Sequence, residues 1–243
     1  MTRALSQRNL LLASSSVCHP GSYLEHLRPH IAELFDGVGE ILFVPFARAG
    51  GRTHDEYTAV ARAGFEPLGI GVRGLHEFED AEAAIAAAGG VFVGGGNTFV
   101  LLRQLYVHNV LGVLRERGVA GMPYMGCSAG SNIAGLTMGT SNDMPIDYPP
   151  SFDALGLIPF NLNPHFPALP PDPTHKGETR EERIAEFHCF NSQRVLGLRE
   201  DGLLRIRGQQ IELIGQRNAI LFQQGQASSE FTPGDDLSFL LKE

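Results

Sequence analysis

Cysteine is scarce in this chain: three residues among 243, at positions 18, 127 and 189, with no C-x-x-C pair. An odd, sparse set builds no disulfide framework and points to reduced thiols in a cytoplasmic setting. Long apolar runs are missing too. No stretch approaches the roughly 18 residues that a membrane-crossing helix needs, so no membrane partner is expected. The apolar run at residues 9–13 is too short for a convincing signal peptide and reads better as a first strand. Formal net charge is −8 and no basic cluster stands out, which argues against nucleic acid as a partner. Repeats, low-complexity segments and linkers are absent, so residues 1–243 read as a single α/β domain. No metal-ligand spacing is present, and neither a metal nor a cofactor is expected.

What is present is alternation. Apolar strand-like runs at 10–14, 40–45, 66–71, 90–93 and 122–127 are separated by helix-like segments at 22–35, 53–63, 80–87 and 98–117. Strand–helix alternation predicts a doubly wound, mostly parallel sheet. All-apolar strands suit a sheet covered on both faces. Residues 137–173 then carry many Pro, Asn and Asp residues and little periodicity, and a segment that long is usually functional. A helix-like segment follows at 176–187. Four close-spaced strand-like runs at 195–198, 203–207, 210–214 and 219–222 predict an antiparallel meander at one sheet edge.

The sharpest motif is Gly126-Cys127-Ser128-Ala129-Gly130, a G-x-S-x-G between an apolar strand and a run of small residues. A tight strand-to-helix turn there would expose the Ser128 hydroxyl over a helix N-terminus, as a nucleophile elbow does. The backbone N–H of Ala129 would then face a developing oxyanion. The bland alternative is a glycine-rich turn with a capping serine. Gly94-Gly95-Gly96-Asn97 also follows an apolar strand and opens a helix. No Lys-Ser/Thr follows it, so it is not a phosphate loop of the Walker type. It suits a second oxyanion donor at Gly95, with Asn97 or Thr98 as helix cap.

A serine nucleophile needs an imidazole within reach. Of nine histidines, His165 in Asn163-Pro164-His165-Phe166 is the leading candidate and His175 the second. Asp143 and Glu200 are the candidate acids for holding the imidazole tautomer. Glu200 follows an apolar strand, where catalytic groups of α/β proteins collect, and is preferred. The charged stretch 175–183 reads either as a solvated helix start or as a cationic site for a carboxylate-bearing substrate. Cys127 should point into the core and receives no chemical role.

Taken together these stretches resemble one family closely: the aspartyl dipeptidases of serine-peptidase family S51, the peptidase E family. The resemblance rests on Phe43-Val44-Pro45-Phe46-Ala47, Val93 to Phe99, Gly126 to Gly130, Asn142 to Ile146, Phe152 to Leu155, Asn163 to Phe166 and His175 to Arg180, in family order over residues 9–225. It implies a flavodoxin-like fold related to class I glutamine amidotransferases, without metal. It also implies a cytoplasmic enzyme cleaving small Asp-Xaa peptides, with a homodimer as one assembly. On matching positions, Ser128 is the nucleophile, His165 the base, Asp143 the acid assigned by sequence comparison, and Glu200 the strand-end acid. Arg180 would bind the aspartyl β-carboxylate, and Asn97 or a nearby acid the α-amino group. A cyanophycinase-like exopeptidase and a non-catalytic, anion-binding flavodoxin-like module are the alternatives. A glutamine amidotransferase would need cysteine at position 128.

Overall fold

The structure, a computed structural model, describes residues 7–168 and 177–242. Its strands are β1 (Asn9–Ala13), β2 (Glu40–Val44), β3 (Gly71–Gly74), β4 (Val91–Val93), β5 (Tyr124–Cys127), β6 (Asn161–Pro164), β7 (Val195–Leu198), β8 (Leu203–Arg207), β9 (Gln210–Ile214), β10 (Ala219–Phe222) and β11 (Ser229–Phe231). The helices are α1 (Arg28–Leu34), α2 (His54–Phe65), α3 (Ala81–Ala87), α4 (Thr98–Val107), α5 (Leu111–Val119), α6 (Ala129–Asn132) and α7 (Arg180–Phe190). None of them is long and apolar enough to cross a membrane.

The main sheet has the order β3-β2-β4-β5-β1-β8-β9. Its first five strands are parallel, and β8 and β9 add an antiparallel edge. The run β3-β2-β4-β5 reproduces the first four places of a flavodoxin-like sheet, with β1 in the fifth. Successive side chains of a strand point to opposite faces. Leu10, Leu12, Val44 and Val93 therefore enter one core, under α3, α4 and α5. Leu11, Phe43, Phe92 and Met125 enter the other, under α1 and α2. Burial on both faces is why these strands read as unbroken apolar runs.

The predicted single meander is corrected. Only β8 and β9 join the main sheet, whereas β7 and β10 belong to a second sheet of order β11-β10-β7-β6, in which β6 and β7 run parallel. The partner that draws β7 away is β6, whose Asn-Leu-Asn-Pro sequence reads as loop. Its asparagines are buried and bonded instead. Asn161 Oδ1 accepts from the Thr137 N–H at 3.0 Å, and Asn163 Nδ2 donates to the Thr140 carbonyl at 2.8 Å. A tight turn, closed by the Gly202 N–H on the Arg199 carbonyl, then carries the chain from β7 back to the main sheet.

Two other expectations shift. The helix expected over 98–117 is broken into α4 and α5, with Asn109 at φ 54° between them, a geometry asparagine tolerates better than most residues. The strand expected at 66–71 is displaced to β3. Residues Glu66–Leu68 form a 3₁₀ turn with Pro67, which has no N–H for a ladder.

Candidate active site

The C-terminal ends of β1, β4 and β5 in the main sheet meet those of β6 and β7 in the second. Ser128 follows β5 directly and sits at φ 53°, ψ −112°, between strand and α6. Gly130 makes this elbow possible, since a Cβ there would overlap the Val93 carbonyl of the adjacent strand. His165 follows β6 at φ 56°. Glu200 lies two residues beyond β7. Because β6 and β7 are parallel, their chains deliver His165 and Glu200 to the same edge.

The three side chains form one row. Ser128 Oγ lies 2.8 Å from His165 Nε2, and Glu200 Oε1 lies 2.9 Å from His165 Nδ1. A carboxylate at Nδ1 favours the tautomer that leaves Nε2 free to accept the serine proton. The bond to His165 holds the Glu200 carboxyl below the usual carboxylate range, so it stays ionised at neutral pH.

Hydroxyls at the end of β1 brace this row. Ser14 Oγ accepts from the His165 backbone N–H at 2.9 Å and donates to the Leu198 carbonyl at 2.9 Å. Ser15 Oγ donates to the Glu200 carbonyl at 2.6 Å. On the other side, Asn132 Nδ2 in α6 donates to the Leu162 carbonyl of β6 at 2.8 Å.

The glycine loop after β4 packs on the nucleophile. A Cβ on Gly95 would lie 3.0 Å from Ser128 Cβ and 3.6 Å from its Oγ. Tyr57 Oη donates to the Gly95 carbonyl at 3.0 Å and fixes that peptide. The backbone N–H groups of Gly95 and Ala129 have no hydrogen-bond partner among the described residues.

The sequence model of peptidase family S51 matches residues 10–214, a span that includes all of these groups. The chain belongs to peptidase family S51. A Drosophila melanogaster protein named probable alpha-aspartyl dipeptidase is 49% identical over 98% of this chain and 99% of its own. A Streptomyces coelicolor protein named peptidase E is 48% identical over 96% and 95% respectively. Among solved structures, a peptidase from an acI-B1 Actinobacterium superposes with a TM-score of 0.70 at 18% identity, over 96% of this chain and 97% of its own. A putative peptidase E from Listeria monocytogenes gives 0.64 at 23% identity, over 86% and 98%. At those identities the superpositions speak for the fold.

In this S51 peptidase the other expected residues fall as follows. Asp143 does not bond His165. Its Oδ2 accepts from the Thr98 N–H at 2.7 Å, Thr98 Oγ1 at 2.6 Å and Ser141 Oγ at 3.1 Å. Asn97 has both ends of its side chain engaged: Oδ1 caps the Val100 N–H at 3.1 Å, and Nδ2 donates to the Met144 carbonyl at 2.9 Å. Arg180 opens α7, capped by Thr179, and lines a cavity of about 170 Å³ with Asn142, Asp143 and Asn163. It donates to Asn142 Oδ1 and has no carboxylate partner among the described residues. Burial lowers its pKa from the ordinary arginine value. Cys127 is fully buried, and desolvation pushes its thiol well up. His175, the second candidate base, lies outside the described residues. The closest trio of acid and imidazole donors among the described residues, Asp55, His76 and Glu77, takes no part in the row. His76 Nε2 pairs with Asp55 at 2.8 Å, and Glu77 with Arg62 at 2.5 Å.

Sequence reasoning missed Ser14, Ser15 and Asn132. Their contacts cross between sheets, so spacing along the chain carries no trace of them.

Proposed function

We propose that this S51 peptidase is a cytoplasmic serine dipeptidase that releases an N-terminal aspartate from Asp-Xaa dipeptides. The reading rests on the continuous row Ser128–His165–Glu200 at a strained elbow, in a chain whose relatives carry the names alpha-aspartyl dipeptidase and peptidase E. Both sheets contribute to that row, so they are taken as one peptidase domain.

Ser128 Oγ attacks the scissile carbonyl while His165 Nε2 takes its proton, and Glu200 steadies the resulting imidazolium. The N–H groups of Gly95 and Ala129, free of partners among the described residues, receive the oxyanion, each such donor being worth about 3–4 kcal/mol in the transition state. His165 then protonates the leaving amine. The C–N bond breaks, leaving an aspartyl ester on Ser128, and water activated by the same imidazole hydrolyses it. The half-buried guanidinium of Arg180, which has no carboxylate partner among the described residues, suits the substrate's β-carboxylate.

Hydrolysis of Asp-Leu, Asn-Leu and Glu-Leu by wild type, Arg180→Ala and Arg180→Lys tests this specificity. Wild type should prefer Asp-Leu over Asn-Leu strongly. Arg180→Ala should erode that preference by roughly 100-fold, and Arg180→Lys should also be damaging, because an ammonium cannot reproduce a bidentate contact. An undiminished preference in Arg180→Ala would remove Arg180 from the account. A wild type that spares Asp-Leu but degrades β-Asp-Arg polymer would replace the dipeptidase with a cyanophycinase-like exopeptidase.

A further inference from the structure

The leaving half of a dipeptide carries a charge of its own, a free carboxylate one residue beyond the scissile bond. From the scissile carbonyl carbon to an oxygen of that carboxylate is four covalent bonds, about 4–5 Å. A cation that reads it must therefore stand close to the nucleophile. The glycine loop after β4 leads to one. Arg48 lies four residues beyond β2 and is exposed. Its Cζ sits 4.7 Å from the centre of the Tyr57 ring. Tyr57 in α2 is buried, and its Oη donates to the Gly95 carbonyl at 3.0 Å. Gly95 in turn packs on Ser128, where a Cβ would lie 3.0 Å from Ser128 Cβ. The line of contacts from Arg48 through Tyr57 and Gly95 to Ser128 is unbroken.

The root of this arm is fixed by backbone. The Ala47 carbonyl accepts from the Asn97 N–H at 2.7 Å, and a Cβ on Gly96 would overlap it. None of Arg48, Tyr57 and Gly95 lines the cavities that hold Asp143 and Arg180, so the arm borders the nucleophile from a separate direction. Arg48 has no carboxylate partner among the described residues. Burial pushes the Tyr57 phenol above its usual range, so the platform stays neutral. An aromatic face steadies a guanidinium and leaves its N–H edge free to take a carboxylate with two parallel bonds.

We propose that Arg48 binds the C-terminal carboxylate of the leaving residue and so makes the enzyme favour dipeptides, an inference that rests on the dipeptidase reading. In a tripeptide that carboxylate lies up to about 3.8 Å further from the scissile bond, and a neutral amide stands in its place. The length preference then comes from the leaving half of the substrate, independently of how the aspartyl half is held.

The competing account makes Arg48 a solvated side chain that merely rests on Tyr57. Arg48→Met separates the two, because it keeps an apolar stem on the ring and removes the charge. The substrates are Asp-Leu and Asp-leucinamide, which differ only in the terminal carboxylate. Wild type should prefer Asp-Leu by about tenfold or more in kcat/KM, the size of one charge-assisted contact. Arg48→Met should lose about tenfold on Asp-Leu, stay within about threefold of wild type on Asp-leucinamide, and so erase the preference. Arg52→Ala removes a second cation from the same loop and should keep the wild-type preference. The inference is overturned by a wild type indifferent to the carboxylate, by equal losses on both substrates in Arg48→Met, or by no loss on either. An Arg52→Ala variant that loses the preference as Arg48→Met does would overturn it too, since the effect would then belong to the loop's overall charge. All these outcomes leave the dipeptidase reading standing. A wild type that cleaves neither substrate fails that reading itself, and is distinct from every one of them.

Discussion

At Ser128 an L residue is held at positive φ with ψ near −112°, a sparsely populated geometry that costs on the order of 1–3 kcal/mol. The strain persists because β5, α6 and the Val93 carbonyl leave no other path for the chain. Its return is the exposed hydroxyl, 2.8 Å from an imidazole. Glycine adopts such geometry without penalty. Ser128→Gly is therefore expected to be more stable than Ser128→Ala by about 1 kcal/mol, with both variants inactive. Thermal unfolding of the pair measures this, and a glycine variant that melts at or below the alanine one would contradict stored strain at the elbow. This residue was legible in the sequence because close packing demands glycine at fixed offsets around it. His165 was legible for a weaker reason, its place next to proline in a polar segment. Arg180 and Asp143 were legible as charges. Their separation by Asn142, without an ion pair between them, is a three-dimensional fact that no spacing encodes.

Among the elements, β1 does more than fill the fifth place of the sheet. Its end carries Ser14, fully buried, which bonds one strand-end residue of β6 and the last carbonyl of β7. His165 itself is at positive φ, and the Ser14 hydroxyl holds its N–H in that conformation. Ser14→Ala leaves that donor and the Leu198 carbonyl short of a partner. The expected cost is about 1–3 kcal/mol of stability, with kcat falling more than KM changes, because the imidazole loses its placement and Arg180 keeps its own. Denaturant unfolding and steady-state kinetics read the two effects. A variant with wild-type kcat would show that β1 does not position His165. The β1 strand was predictable from its apolar run, as were α2, α3 and β2. The second sheet was not, because β6 is half asparagine and its side-chain N–H groups bond the loop at Thr137 and Thr140 instead of facing water.

Across the whole molecule, the nucleophile and the glycine loop come from a flavodoxin-like sheet whose strands follow from local apolar patterning. The imidazole and its carboxylate come from the ends of β6 and β7 in a second sheet, where the paired residues lie 34 apart in the chain. Function was readable before the topology was, since chemistry is concentrated in short motifs while strand pairing is distributed over distant segments. The account stands or falls on Ser128 as nucleophile. The direct measurement is kcat/KM for release of nitroaniline from Asp-p-nitroanilide by wild type and Ser128→Ala, with circular dichroism confirming that both are folded. The account predicts a loss of about 10⁴-fold or more in the variant. Turnover within about tenfold of wild type would contradict it.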